Sequence, residues 1–275
     1  MEDLHPDKLE VQKQWDRDPC GAVTAQEELP ESLEFYRAVR RHRYDVYAPW
    51  MDAAMGFDSW RGSRTLEIGV GVGSDHYRLA SAGCNMTALD LSREHLRHTS
   101  RHLQLEGLAT TPVYGDAEKM PFPDNTFDLV YSFGVLHHTP GTDRALAEVW
   151  RVLRPGGTAL IGLYHRNSSF FWISTVLQNG LLRGRLFTRG WRRLLSEIEY
   201  RSDSSAACPL VKVYSRRGAQ RLFRRFDDVR IRTHHVEASH FSLGSLALRR
   251  LDRNVLEKRL GRFGWYLVIN ARKPQ

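Results

Sequence analysis

The sequence predicts an α/β protein with a doubly wound, mostly parallel β-sheet and helices on both of its faces. Between residues 64 and 164, short apolar runs alternate with amphipathic helical patterns, which is typical of successive βα units. Glycines at positions 69, 71 and 73 separate the first run from the first helical pattern. The largely apolar run 128–133 indicates a central strand that is buried on both faces.

The first strand and the turn after it are predicted to approach a ligand closely. Residues 64–69 form this strand, and Glu67 places an acid near its end. Glycines at alternate positions then allow a sharp turn with no side chain in the way: Gly69, Gly71 and Gly73. We expect Ser74 or Asp75 to cap the helix over 74–83, whose N-terminus would offer backbone N–H groups to an anion.

Acidic residues follow the next two strands at positions that suit a nucleoside. Asp90 ends the second strand, 86–90, about twenty residues after the turn, where a carboxylate can accept hydrogen bonds from a ribose diol. Asp116 follows the third strand, 111–115, where an acid can accept the exocyclic amine of adenine. Ser92 is expected to cap the helix between these two strands.

Three motifs resemble those of the class I S-adenosylmethionine-dependent methyltransferases. They are E-x-G-x-G-x-G at 67–73, L-R-P-G-G at 153–157, and G-D-A-x-x-L-P-F-x-D-x-x-F-D at 115–128, with Met120 in place of leucine. The sequence is most similar to the type 11 small-molecule branch, which includes the ubiquinone and menaquinone C-methyltransferases. The resemblance implies a Rossmann-like, seven-stranded sheet whose last strand is antiparallel.

The resemblance also implies S-adenosylmethionine as the cofactor, with S-adenosylhomocysteine as the product, and it assigns a residue set to each part of the molecule. The set comprises Glu67, Gly69, Gly71 and Gly73 at the methionine end, Asp90 at the ribose, Leu91 beside the adenine, Asp116 and Ala117 at the adenine edge, and Ser132, Phe133 and Val135 near the methyl group.

Three histidines are candidates for a general base in methyl transfer. His137 and His138 follow the fourth strand. His165 stands at the end of the fifth strand, directly after the run Thr158 to Tyr164. All three are therefore expected near the carboxyl edge of the sheet. An imidazole titrates near neutrality and can take a proton from the acceptor. Adjacent residues usually diverge, so we expect one of the first two to face the acceptor. No carboxylate or cysteine stands at ligand spacing, and we therefore expect no metal.

The flanks of the core are predicted to choose the acceptor. We expect a helical N-terminal cap at 1–60, the cofactor-binding core at 61–165, an insertion or lid at 166–214 and a C-terminal part at 215–275. Residues 1–30 show no periodicity, whereas a helical pattern begins at 30. Strands are expected at 229–236 and 264–271, with a helix at 243–260 between them. Candidate substrate-binding residues are Tyr44, Tyr47 and Tyr164.

Composition limits the partners. The chain has 275 residues and a net charge of +8, and much of its arginine lies after residue 180. Three scattered cysteines, Cys20, Cys84 and Cys208, suggest free thiols and a cytoplasmic protein. No apolar run is long enough to span a membrane, although the basic stretch 181–195 could lie on one or on a second subunit.

We therefore predict a methyltransferase that acts on a small-molecule acceptor, as a monomer or homodimer. The sequence leaves open which atom accepts the methyl group: carbon, oxygen, nitrogen or sulfur. Two alternatives remain, namely an RNA methyltransferase and a non-catalytic module that binds the cofactor or a nucleic acid on the same fold. The intact cofactor motifs argue against the second of these.

Overall fold

The computed structural model describes residues 5–199, 210–244 and 253–275. Seven strands form one sheet in the order β3-β2-β1-β4-β5-β7-β6. They are β1 (Arg64–Ile68), β2 (Asn85–Asp90), β3 (Thr111–Tyr114), β4 (Phe127–Phe133), β5 (Leu153–Tyr164), β6 (Asp227–His234) and β7 (Tyr266–Arg272). The pairs from β3 to β5 are parallel, and β7 is antiparallel to both of its neighbours. The predicted doubly wound sheet with an antiparallel last strand is confirmed.

Helices cover both faces of this sheet. The α-helices are α1 (Pro6–Arg17), α2 (Leu33–Arg41), α3 (Met51–Met55), α4 (Ser74–Ser81), α5 (Arg93–Leu105), α6 (Thr142–Val152), α7 (Arg185–Ser196), α8 (Arg216–Leu222) and α9 (Arg253–Leu260). Two π-helices occupy His42–Tyr47 and Phe170–Leu182, and short 3₁₀ turns include Phe57–Trp60, Leu136–His138 and Ala238–Gly244. Among the described residues, no helix is both long enough and apolar enough to cross a membrane.

The central strand β4 joins the two halves of the core. Successive side chains of a strand point to opposite faces. Val130 therefore packs in the cluster that contains α6, while Leu129 and Tyr131 pack in the cluster that contains α3 and α4. All three are fully buried, which explains why the run is apolar on both faces.

Several local expectations were wrong. Helix α1 forms inside the N-terminal segment that showed no periodicity, beginning with Pro6 and with Asp7 in its first turn. Neither Ser74 nor Asp75 caps α4: Gly73 occupies the cap position with φ 82°, and Asp75 bonds side chains instead. Strand β5 begins at Leu153 rather than Thr158, because its first residues continue the pairing with β4 across a bulge.

Other local expectations are confirmed. The Ser92 side chain accepts the His95 N–H and caps α5. The helix expected over 243–260 is confirmed only at Arg253–Leu260, because residues 243 and 244 end the 3₁₀ turn Ala238–Gly244. Residues 245–252, Cys208 and the polar loop at 201–207 lie outside the described residues.

Candidate active site

A cavity of about 400 Å³ opens at the carboxyl ends of β1, β2 and β4. This is where ligands bind in open α/β sheets, and the volume is that of a small-molecule site. The glycine turn forms one side of the cavity, and α1 and the segment around Arg43 cover another. Aromatic side chains form a third side.

The glycine turn fits closely around the cavity. Gly69 has φ 78°, and a Cβ there would collide with the side chain of Val135. Ser74 also lines the cavity, and its hydroxyl oxygen is buried without a hydrogen-bond partner among the described residues. A buried polar atom normally has a partner, so this orphaned hydroxyl suits a polar ligand group.

Asp90 is held rigidly at the end of β2. Its carboxylate accepts the backbone N–H of Val70 at 2.8 Å and that of Ser92 at 2.8 Å, and it lies 3.1 Å from Nδ1 of His95. These bonds orient a buried carboxylate at the cavity wall. A carboxylate can accept about four hydrogen bonds, so Asp90 keeps capacity for a ligand hydroxyl.

Helix α1 reaches across the cavity to the acid predicted at the adenine edge. Nζ of Lys8 lies 2.5 Å from Asp116 and 3.1 Å from Glu118. Glu118 also accepts hydrogen bonds from Thr139 and from the Gly141 N–H. Burial would raise the pKa of Glu118, but these bonds, together with Lys8 and Arg144, lower it to about 2. The loop after β3 is thus tied to α1 and to the loop after β4.

A buried cluster around Asp75 forms the wall behind the glycine turn. Arg43 contacts both carboxylate oxygens of Asp75 at 2.5 Å, and the hydroxyls of Tyr44 and Tyr131 each donate to it at 2.7 Å. Burial would raise the pKa of Asp75, but Arg43 and the hydrogen bonds outweigh it and lower the pKa. The charged pair therefore persists inside the protein.

Glu67 pairs with a histidine on the helix after the turn. Its carboxyl group shares a hydrogen bond of 2.9 Å with Nδ1 of His76, and both side chains are buried. Burial and the nearby charge of Asp75 raise the pKa of Glu67 well above its usual range, while burial lowers the pKa of His76 to about 3. A cationic ligand group beside Glu67 would favour its ionised form.

The structure separates the three predicted histidines. His138 lines the cavity, whereas His137 and His165 are buried outside it. Nδ1 of His138 lies 2.7 Å from the Leu210 carbonyl oxygen and must donate to it, so the neutral ring carries its lone pair on Nε2. Burial lowers the pKa of His137 well below its usual range, and burial also lowers the pKa of His165, which donates to the Gly264 carbonyl.

Aromatic side chains form the side of the cavity opposite the glycine turn. The hydroxyls of Tyr47 and Tyr266 are 2.5 Å apart, and the ring of Tyr266 lies 4.6 Å from that of Phe133. Tyr164 stacks on Trp265 at 4.4 Å. Aromatic faces attract cations and apolar groups alike, so this wall suits a sulfonium next to an apolar acceptor.

The structure brings most of the predicted residues to one cavity. Those that line it are Glu67, Gly69, Gly71, Asp90, Leu91, Asp116, Ala117, Phe133, Val135, His138, Tyr47 and Tyr164. Those that do not line it are Gly73, Ser132, Tyr44, His137 and His165. The Ser132 hydroxyl donates to the Ile68 carbonyl, and Gly73 packs against Thr99.

Several residues of the cavity are not predicted from the sequence. Lys8, Val11 and Trp15 line it from α1. Their i, i+3, i+7 spacing is helical, but it is a weak signal because Lys8 is not apolar. Arg43 lies in a polar stretch of the sequence, where an arginine is expected to be exposed. Its ion pair with the buried Asp75 becomes visible only in the structure.

One group with metal-ligand geometry occurs among the described residues, and it lies apart from the predicted histidines. It consists of His235, Glu237 and His240, whose ligand atoms lie within 4.8 Å of one another. However, Nδ1 of His235 accepts from Trp50 at 3.5 Å and Nδ1 of His240 accepts from the Glu237 N–H at 3.3 Å. These bonds place the ring protons on Nε2, which opposes metal binding there.

Comparison with known proteins finds a methyltransferase domain in the core of the chain. Residues 66–161 match a family model described as a methyltransferase domain. This part of the chain is therefore similar to the methyltransferase domain that the motifs of the class I S-adenosylmethionine-dependent methyltransferases predict. The methyl donor of this family is S-adenosylmethionine. The matched range contains the glycine turn, Asp90, Asp116 and His138, and it ends inside β5.

Two curated methyltransferases and one solved structure illustrate the relationship. The chain is 32% identical over 133 residues to a sterol 24-C-methyltransferase of Gibberella zeae, covering 47% of this chain and 33% of that protein. It is 28% identical over 225 residues to the 27-O-demethylrifamycin SV methyltransferase of Amycolatopsis mediterranei, covering 78% of each. A methyltransferase structure from Thermotoga maritima shares the fold with a TM-score of 0.55 at 16% identity, covering 96% of this chain and 99% of that one. The chain spans about a third of the length of the sterol methyltransferases that it matches.

Proposed function

We propose that this protein transfers a methyl group from S-adenosylmethionine to a small, largely apolar acceptor. The observation that carries the proposal is the cavity at the carboxyl edge of the sheet, where Glu67, Asp90 and Asp116 lie around the glycine turn. The match of residues 66–161 to a methyltransferase domain supports the donor. The curated relatives that act on a sterol and on a rifamycin support a small-molecule acceptor.

The chain's own residues fit the donor. We infer that Asp90 accepts the ribose hydroxyls, that Asp116 accepts the adenine amine, and that Glu67 and the orphaned Ser74 hydroxyl bind the methionine end. Because Lys8 already pairs with Asp116, binding of adenine requires α1 to share or release that carboxylate. When bound, the donor supplies an electrophilic methyl group on a sulfonium.

The aromatic wall would hold the acceptor in line with the methyl group. Phe133, Tyr164 and Tyr266 line the cavity. Their aromatic side chains favour an apolar acceptor and exclude water. Fixed alignment of two reactants is a large part of catalysis of such a displacement.

We infer that His138 is the general base wherever the acceptor must lose a proton. Its tautomer, fixed by the Leu210 carbonyl, directs a lone pair to the other side of the ring. His137 and His165 instead lie outside the cavity, so the loss of either should act through packing.

The direct test is transfer of a labelled methyl group. Purified protein would be incubated with methyl-labelled S-adenosylmethionine and with panels of sterols, polyketides, quinones, amines and RNA. Label in a small acceptor supports the proposal. Label only in RNA would favour an RNA methyltransferase, and saturable cofactor binding without transfer to any panel would favour a non-catalytic module.

A further inference from the structure

A helical hairpin after β5 carries more than half of the exposed large hydrophobic side chains of the described chain. It consists of the π-helix Phe170–Leu182, the turn at Gly184 and α7, and we call residues 170–196 the hairpin. Among the described residues, six of the eleven exposed large hydrophobic side chains lie on it: Trp172, Leu177, Leu181, Leu182, Phe187 and Trp191. Such a concentration indicates an interaction surface, because most soluble proteins scatter these side chains singly.

The tip of the hairpin is the most exposed part. Leu182 is 74% exposed and Phe187 is 78% exposed, and the chain turns between them at Gly184, with φ 67°. The opposite side is anchored in the protein, since Phe171 and Leu194 are buried. The apolar tip is therefore presented by a fixed base.

The hairpin is also strongly cationic. Residues 170–196 contain five arginines, at 183, 185, 189, 192 and 193, and no aspartate or glutamate. Arg185 and Arg189 bond to Glu197 just beyond the hairpin, and Arg192 bonds to Asp7. Because such exposed pairs are weak, these cations can still interact with external anions.

We propose that the hairpin docks this protein on an anionic lipid bilayer, with Leu182 and Phe187 entering the boundary between headgroups and acyl chains. A bilayer of this kind matches both properties of the surface, the apolar tip and the surrounding arginines. A second copy of the chain would bring the same positive charge against it, and a nucleic acid would leave the apolar tip in water. No described helix can cross a membrane, so the contact is peripheral.

The hairpin adjoins the cavity on two sides. Arg192 bonds to Asp7 on α1, the helix whose Lys8 reaches Asp116. Phe170 packs at 4.7 Å on Trp265, which stacks on Tyr164 in the cavity wall. Docking would place the cavity beside the bilayer, where apolar acceptors dissolve. This last step depends on the proposed methyl transfer, whereas the docking itself does not.

Vesicle cosedimentation tests the docking without any assay of activity. The full chain would be spun with vesicles of phosphatidylcholine alone or mixed equally with phosphatidylglycerol. We expect binding only to the anionic vesicles, weakened by salt. Phe187→Asp should lower the affinity about tenfold or more, since it places a like charge at the lipid boundary. The matched control is Leu29→Asp, at a site that is 76% exposed and far along the chain, and it should bind like the wild type.

Three outcomes would overturn the proposal. The first is that the wild type does not bind anionic vesicles. The second is that Phe187→Asp binds them as tightly as the wild type. The third is that the wild type does not bind vesicles and Phe187→Asp instead loses self-association or affinity for RNA. Phe187 is exposed, so the variant should keep its thermal unfolding midpoint. Failure of docking would leave the methyl-transfer proposal intact, and failure of methyl transfer would leave docking intact.

Discussion

Replacement of Asp75 by asparagine is expected to destabilise the protein strongly. The Asp75 carboxylate accepts two hydrogen bonds from Arg43 and one each from Tyr44 and Tyr131. An asparagine amide keeps one acceptor oxygen and turns an NH₂ group toward the remaining donors. The Arg43 guanidinium then stays buried without its counter-charge.

The expected cost follows from the burial of this pair. Breaking a buried ion pair by removing one partner costs about 3–5 kcal/mol. The Arg43 side chain is 22% exposed, and the amide oxygen of the introduced asparagine can still accept one hydrogen bond. We therefore expect a loss of about 3 kcal/mol in the free energy of unfolding, at the lower end of this range. At about 2–4 °C per kcal/mol for a large domain, the unfolding midpoint should fall by roughly 6–12 °C.

Equilibrium urea unfolding, followed by circular dichroism, measures this cost. A fall in the midpoint urea concentration with an unchanged slope would report a loss of stability alone. The control is Asp58→Asn, because Asp58 pairs with Arg78 in a similar way but is 79% exposed, and no measurable change is expected. The double variant Arg43→Met/Asp75→Asn should be more stable than the sum of the two single losses predicts. If Asp75→Asn unfolds at the same urea concentration as Asp58→Asn, the buried pair does not exist as described.

The remaining predictions concern pH and catalysis. The pKa of Glu118 is lowered to about 2 in the folded protein, so its stabilising effect is complete above its unfolded value of about 4.3 and is lost as the pH falls toward 2. Glu118→Gln should therefore lower the free energy of unfolding at pH 7. The difference in free energy of unfolding between the variant and the wild type should become smaller between about pH 5 and pH 3. A difference that grows over this range in urea titrations would contradict the prediction. With an acceptor that must lose a proton, His138→Gln should lower kcat by about 10²–10⁴-fold and leave cofactor affinity unchanged. His165→Gln is its control, and equal losses of kcat in both variants would argue against His138 as the base.

The sequence predicted the sheet and the glycine turn because both depend on local patterns. Glycines at 69, 71 and 73 and the apolar run of β4 are visible in any window of the chain. Asp90 and Asp116 were placed correctly at the cavity because carboxyl ends of parallel strands meet at one edge. The divergence of His137 and His138 followed from their adjacency.

What the sequence did not predict depends on contacts between distant segments. Lys8 meets Asp116 across 108 positions, and Arg43 meets Asp75 across 32. Helix α1 was missed because its stripe of Lys8, Val11 and Trp15 faces a cavity instead of an apolar core, which gives a weak hydrophobic period. The cap of α4 was misplaced because the helix begins at Ser74 and the Asp75 side chain bonds to Arg43 instead of the helix backbone.

Calorimetric titration with S-adenosylhomocysteine tests the proposal that the cavity holds S-adenosylmethionine with Asp90 on its ribose. The wild type should bind one equivalent saturably. Asp90→Asn removes a charged hydrogen bond worth about 1.5–3 kcal/mol, so affinity should fall by about 10–100-fold. A thermal melt would check that the variant still folds, because Asp90 also accepts backbone N–H groups. No saturable binding by the wild type, or unchanged affinity in a folded Asp90→Asn variant, would contradict the proposal.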